Sequence, residues 1–170
     1  IIILLISITL NARDVGETEI TTEDGVEVFQ NEKFYLLKKN VKISSDSFTL
    51  SADKVKVEFD KNLYDIINLN SEGNVSFDSD ELNIKGNGKL IKFNVSSEEL
   101  KVEGLGSQLI SEDITMISDG YIKVNNSNGN FLLKGPKSKL TRDNIIIEAE
   151  YINGNYSNNS NQRQITFLEV

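Results

Sequence analysis

Between Phe48 and Phe59 the chain reads FTLSADKVKVEF, with apolar residues at Phe48, Leu50 and Ala52 and then at Val55, Val57 and Phe59. Each half has the period of two that marks a half-buried strand, but the parity slips by one residue at Ala52-Asp53. Successive strand side chains point to opposite faces. Both halves can therefore face one interior only if the chain gains a residue or turns a corner between them. Similar short runs of Ile, Val, Leu, Phe and Thr fill the chain from Glu19 onward, with one proline and no amphipathic helix of three turns. They predict an all-β fold.

The slip recurs. EDGVEV (23–28) aligns with ADKVKV (52–57), IKGNGKLIKF (84–93), MISDGYIKV (116–124) and IEAEYI (147–152). Anchored on Asp24, Asp53, Asn87, Asp119 and Glu150, the spacings are 29, 34, 32 and 31 residues, and a small residue precedes each of the last four anchors. Gly73, Gly104 and Gly135 keep the same step, 31 apart, each with an apolar residue four positions earlier at Leu69, Leu100 and Phe131. A period of about 30 residues is the mark of stacked supersecondary units. Turn signals such as Asp24-Gly25, Glu72-Gly73-Asn74 and Gly135-Pro136 separate short strands within one elongated domain over residues 13–156. The polar run NGNYSNNSNQRQ then leads into ITFLEV, so residues 157–170 are predicted to form a polar linker and a last strand.

The parity of these runs predicts an inward set: Phe34, Leu36, Val41, Ile43, Phe48, Leu50, Val55, Val57, Phe59, Val75, Phe77, Leu82, Ile84, Ile91, Phe93, Met116 and Ile122, preceded by Val26 and Val28. Their outward partners are mainly Lys, Asp, Glu, Ser and Thr. Periodicity alone does not separate a packed core from an apolar groove that holds a lipid.

Composition narrows the chemistry. A net charge of -8 and a pI near 4.7 argue against a broad nucleic-acid footprint. With no histidine and no cysteine, the chain lacks Ser-His and Cys-His pairs, thiolates and the commonest transition-metal ligand. Carboxylate pairs exist at Asp78 and Asp80, Glu98 and Glu99, Glu148 and Glu150, and Asp53 and Glu58. At such spacings on strands they read as a solvated face, and Asp78-Ser79-Asp80-Glu81 reads as a turn before a calcium loop. The uncharged IIILLISITLNA (1–12), followed by Arg13-Asp14, is expected to be the hydrophobic region of an export signal, with a truncated membrane anchor as the alternative. It is shorter than the roughly 20 residues a spanning helix needs.

In order, EITTEDGVEV, FYLLKKNVKI, LSADKVKVEF and SEGNVSF resemble the LptA (OstA-like) family, with its I-x-x-x-D-x-x-E-V opening, Gly-Asn-Val turns and A-D-x-x-x-V strand. Lys39-Asn40-Val41 stands where the family usually has Gly-Asn-Val. The resemblance implies a periplasmic, folded-over antiparallel β-jellyroll, or β-taco, that is not an enzyme and uses no cofactor. It implies that lipopolysaccharide acyl chains contact the inward set above, and that the protein helps bridge inner and outer membranes. The implied partners are related jellyrolls docked end to end, LptC-like at the inner membrane and LptD-like at the outer, with head-to-tail self-association. The edges expected to dock are Glu19–Val28 at one end and Ile145–Tyr156 or Ile165–Val170 at the other. Alternatives are a membrane-anchored LptC-type component, an LptD N-terminal domain, a parallel β-helix enzyme acting on polysaccharide, and a purely structural solenoid.

Overall fold

The computed structural model describes residues 16–157 and 164–170, and the apolar segment 1–12 lies outside them. The short strands β1 (Glu19–Thr21) and β2 (Val26–Phe29) precede four long ones, β3 (Phe34–Ser44), β4 (Thr49–Phe59), β5 (Ile66–Ser79) and β6 (Ile84–Asn94). Shorter strands follow: β7 (Glu99–Glu103), β8 (Ser107–Ser111), β9 (Ile114–Ser118), β10 (Tyr121–Asn125) and β11 (Asn130–Lys134). The chain ends with β12 (Lys139–Arg142), β13 (Ile145–Glu148), β14 (Tyr151–Ser157) and β15 (Gln164–Glu169). All belong to one 15-stranded sheet whose described pairings are antiparallel, which sets aside the parallel β-helix.

The sheet is folded along a line that crosses the middle of β3 to β6. Pairing shifts register there, between Lys38 and Val41 on β3, Ser51 and Lys54 on β4, and Glu72 and Val75 on β5. Beyond β6 the two sides separate. The second half of β6 pairs with β7, and that wing continues through β10, β11, β14 and β15. The first half of β6 pairs with β8, and that wing continues through β9, β12 and β13. At the other end β2 starts the β7 wing and β1 starts the β8 wing. The result is a V in cross-section with the fold line as its vertex.

The slip at Ala52-Asp53 is this vertex. Opposite it on β5, Gly73 and Asn74 take left-handed backbone with φ of 75° and 47°, and the Asn74 amide donates to Asp53 Oδ2 at 3.0 Å. Lys39 and Asn40, with φ of 59° and 47°, form the same corner on β3, so lysine occupies a glycine-type position. Asp24 lies beside it, its carboxylate 2.8 Å from Lys39 Nζ. Farther along, Gly104 N–H donates to Gly120 O at 3.0 Å and Gly135 N–H to Glu150 O at 2.9 Å. The predicted anchors Asp24, Asp53, Asp119 and Glu150 thus mark the vertex. Asn87 falls short of it, because the β6 corner lies at Gly88-Lys89, between the pairs Val75–Gly88 and Glu72–Leu90.

Buried serines brace the later corners. Ser107 Oγ donates to Gly104 O and Ser138 Oγ to Gly135 O, each at 2.7 Å, while the Oγ atoms of Ser118 and Ser138 lie 2.9 Å apart. These bonds satisfy hydroxyls that are buried.

A β-carbon on Gly73 would lie 2.8 Å from the Asp53 β-carbon as well as occupying a strained φ. Gly73→Ala is expected to lower unfolding free energy by about 2 kcal/mol. Lys39→Gly relaxes the equivalent corner and is expected to leave the urea midpoint unchanged or higher. Equal losses in both variants would contradict the shared corner geometry.

Candidate functional site

Across the V, β8 packs against β7 and β10, and β9 against β10 and β11. The space between the wings is filled by two apolar layers. On the β7 wing, Val57, Leu69, Phe93, Leu100, Val124 and Phe131 run in cross-strand register, with Val55, Ile91, Val102, Ile122, Leu133 and Ile152 nearer the vertex. On the β8 wing, Ile43, Leu50, Phe77, Leu109, Met116 and Leu140 form the facing layer. All of these are buried. Val41 and Val75 lie beside the vertex, while Phe48, Phe59 and Ile84 lie toward the open side.

Two predicted inward residues face the other way. Phe34 and Leu36 lie opposite Glu58 and Lys56, on the outer face, whereas Tyr35 and Leu37 lie opposite Val57 and Val55 and are buried. FYLL is apolar at every position, so alternation cannot choose its face, and the register with β4 does. Phe34 instead stacks on Phe29 at 4.5 Å between centroids, with Lys56 Nζ 4.5 Å from its centroid. Leu82 sits half-buried in the β5–β6 turn and packs on the core from the side. Leu69, Leu100, Val102, Leu109, Ile114, Val124, Phe131, Leu133, Leu140, Ile152 and Tyr156 complete the interior and lie outside the predicted set. The apolar residue four before each periodic glycine already marked Leu69, Leu100 and Phe131.

Opposite the vertex, the mouth of the V is closed by aromatic rings. Phe93 from the β7 wing lies 5.5 Å from Phe48 and 4.8 Å from Phe77, both on the β8 wing, centroid to centroid. Each rim is tied along its own length. Ser127 Oγ donates to Ser97 O and Asn126 Nδ2 to Glu98 on the β7 rim, and Glu112 N–H donates to Asn83 O on the β8 rim. The vertex is held by backbone bonds, and the mouth by side-chain packing. The interior is closed along its middle but open at its ends, where the inner-face residues Val26, Val28 and Ile145 are 51%, 45% and 61% exposed.

Among the described residues, Tyr35 is the one interior group whose titration is displaced upward. Burial holds its phenol well above the usual value of 10.0, with a smaller contribution from Tyr64, and its hydroxyl donates to Leu63 O at 3.0 Å. The carboxylate pairs lie in other surroundings. Glu58, Asp78, Glu99 and Glu148 pair with Lys56, Lys85, Lys123 and Lys139. The lysine bond, then the Asn68 bond, holds the Glu58 carboxyl below its ordinary range. Ser79 turns inward to Ser47 O and cannot join a calcium loop, and among the described residues no group of three acidic ligands converges.

Phe93→Ala is expected to cost about 3–5 kcal/mol in urea unfolding, and Phe34→Ala less than about 1.5 kcal/mol. Equal costs would contradict the face assignment of β3. Because the folded state disfavours ionised Tyr35, stability is full below pH 10 and falls as pH rises past the unfolded value. Tyr35→Phe should lose about 1 kcal/mol at pH 7 with its hydrogen bond, yet show a shallower alkaline decline.

This geometry has relatives. A family model described as LptA/(LptD N-terminal domain) LPS transport protein matches residues 19–129. The crystal structure of LptH, the LptA-homologous periplasmic component of the lipopolysaccharide transport device of Pseudomonas aeruginosa, shares the fold with a TM-score of 0.55 at 14% identity. That alignment covers 91% of this chain and 95% of that one. No curated protein matches the chain. With its folded antiparallel jellyroll and a family match over most of its length, the chain belongs to the LptA/LptD N-terminal-domain family of lipopolysaccharide transport proteins.

Proposed function

We propose that this protein is a periplasmic lipid carrier that takes the acyl chains of lipopolysaccharide between its two wings and forms part of a bridge from inner to outer membrane. The observation that carries the reading is the one-sided apolar interior, which continues from strand to strand and ends in exposed inner-face valines and isoleucine. An acyl chain in water costs about 0.8 kcal/mol per methylene, so an apolar path of even depth lets it pass from rung to rung without a large barrier. The route needs no reacting group.

Since the middle of the interior is closed, loading requires the wings to part. Backbone hydrogen bonds hold the vertex, whereas Phe48, Phe77 and Phe93 must separate at the mouth, so the V opens about its vertex. Exposed edges at β1, β2, β13 and β15 support end-to-end docking by strand addition, to LptC-like and LptD-like jellyrolls or to a second copy. A structural solenoid is the second reading, favoured by the near-complete burial of the interior in this form.

A photo-crosslinking residue at Phe59, Phe93 or outward Lys56, introduced in cells making lipopolysaccharide, separates the two. Lipid adducts at the inward positions alone are expected. Equal labelling at Lys56, or none at all, would favour the structural rod.

A further inference from the structure

On the rim side of Phe77, the inner face of the β8 wing alternates polar and apolar residues. Ser79, Ile84, Ser111, Ile114, Arg142 and Ile145 are successive cross-strand neighbours. Two of the polar groups have clear partners. Ser79 Oγ donates to Ser47 O at 2.6 Å and accepts from Leu82 N–H at 3.1 Å, and Arg142 Nε donates to Asp113 Oδ2 at 2.8 Å. Ser111 differs: it is wholly buried between Ile84 and Ile114, and its hydroxyl has no hydrogen-bond partner. Buried polar groups are nearly always paired, because leaving one unpaired is costly. A donor kept unpaired in an apolar interior suits a ligand that brings the acceptor.

Depth says which part of a ligand arrives there. Below this layer lies the apolar layer of Leu50, Phe77, Leu109 and Met116, and above it is the rim. An amphiphile with its chains between the wings would place in this layer the point where chain meets headgroup.

We propose that Ser111 and Arg142 form a recognition site for that polar junction. Ser111 Oγ donates to an ester or amide carbonyl oxygen at the head of an acyl chain. Arg142, its plane fixed by Asp113 and its side chain 18% exposed, offers its remaining donors to an adjacent anionic oxygen. The site rests on the lipid-carrier reading and adds to it a selection for acylated, anionic amphiphiles over plain hydrocarbon. Ser71, also buried and unpartnered, lies beside the vertex between Val55 and Ile91, where only chain methylenes reach, and takes no part.

The test measures binding of lipopolysaccharide and of the hydrocarbon probe diphenylhexatriene to wild type, Ser111→Ala, Arg142→Gln, Ser71→Ala and Ser79→Ala, with melting temperatures of the unliganded proteins. Ser111→Ala and Arg142→Gln are expected to bind lipopolysaccharide roughly three- to tenfold more weakly and diphenylhexatriene unchanged. Ser111→Ala should melt no lower than wild type, Ser79→Ala should melt lower, and Ser71→Ala should bind both ligands normally. Unchanged lipopolysaccharide binding in Ser111→Ala, with wild type binding both ligands, would overturn the recognition site and leave the carrier intact. Parallel loss of both ligands with a lower melting temperature would make Ser111 structural and also overturn it. Wild type that fails to bind lipopolysaccharide would remove the carrier reading and this site together.

Discussion

Four long strands cross the vertex of the folded sheet, and at the bend neighbouring strands take up unequal numbers of residues, so each of their pairings carries an irregularity there. In this protein the irregularity is a left-handed corner, Lys39-Asn40 on β3 and Gly73-Asn74 on β5, placed against Asp24 and Asp53 on the neighbouring segments. The rest of the architecture depends on it. It turns one antiparallel sheet into two facing wings, lets four long strands contribute to both, and directs the apolar side chains of both wings into a single space. On β4 the inward parity changes across the fold, from Leu50 and Ala52 to Val55 and Val57, whereas on β3 and β5 it is the same on both arms.

The same construction makes the two sides of the V unequal. Interstrand hydrogen bonds continue up to the fold line, and serines brace its later corners. The mouth depends on ring contacts among Phe48, Phe77 and Phe93. Backbone bonds resist separation collectively, while packed side chains can exchange one apolar neighbour for another at little net cost. An acyl chain is such a neighbour. The closed interior and the proposed carrier are therefore compatible, with lipid replacing protein contacts at the mouth.

Much of this was legible in the sequence because the corner leaves a local mark. The slip at Ala52-Asp53, the small residue before each of the last four anchors and the glycines at 73, 104 and 135 all point to the vertex. The β6 corner was misplaced by a residue or two because IKGNGKLIKF has two glycines and only Gly88 adjoins the bend. FYLL hid its face because every position is apolar, and only pairing with the alternating VKVEF of β4 resolves it. Ser111 was not legible at all. A serine in a strand is ordinary, and that its hydroxyl is buried without a partner is known only when Ile84 and Ile114 close in on either side.

Under the proposed carrier function the wings part about the vertex to admit lipid. With no native cysteine in the chain, spin labels can be placed at Glu81→Cys and Ser96→Cys, on the turns at opposite ends of β6 and on opposite rims. Pulsed electron resonance then reads the width of the mouth directly. A longer label separation, or a new long-distance population, is expected when lipopolysaccharide is added. A distance distribution unchanged at saturating lipopolysaccharide would contradict it.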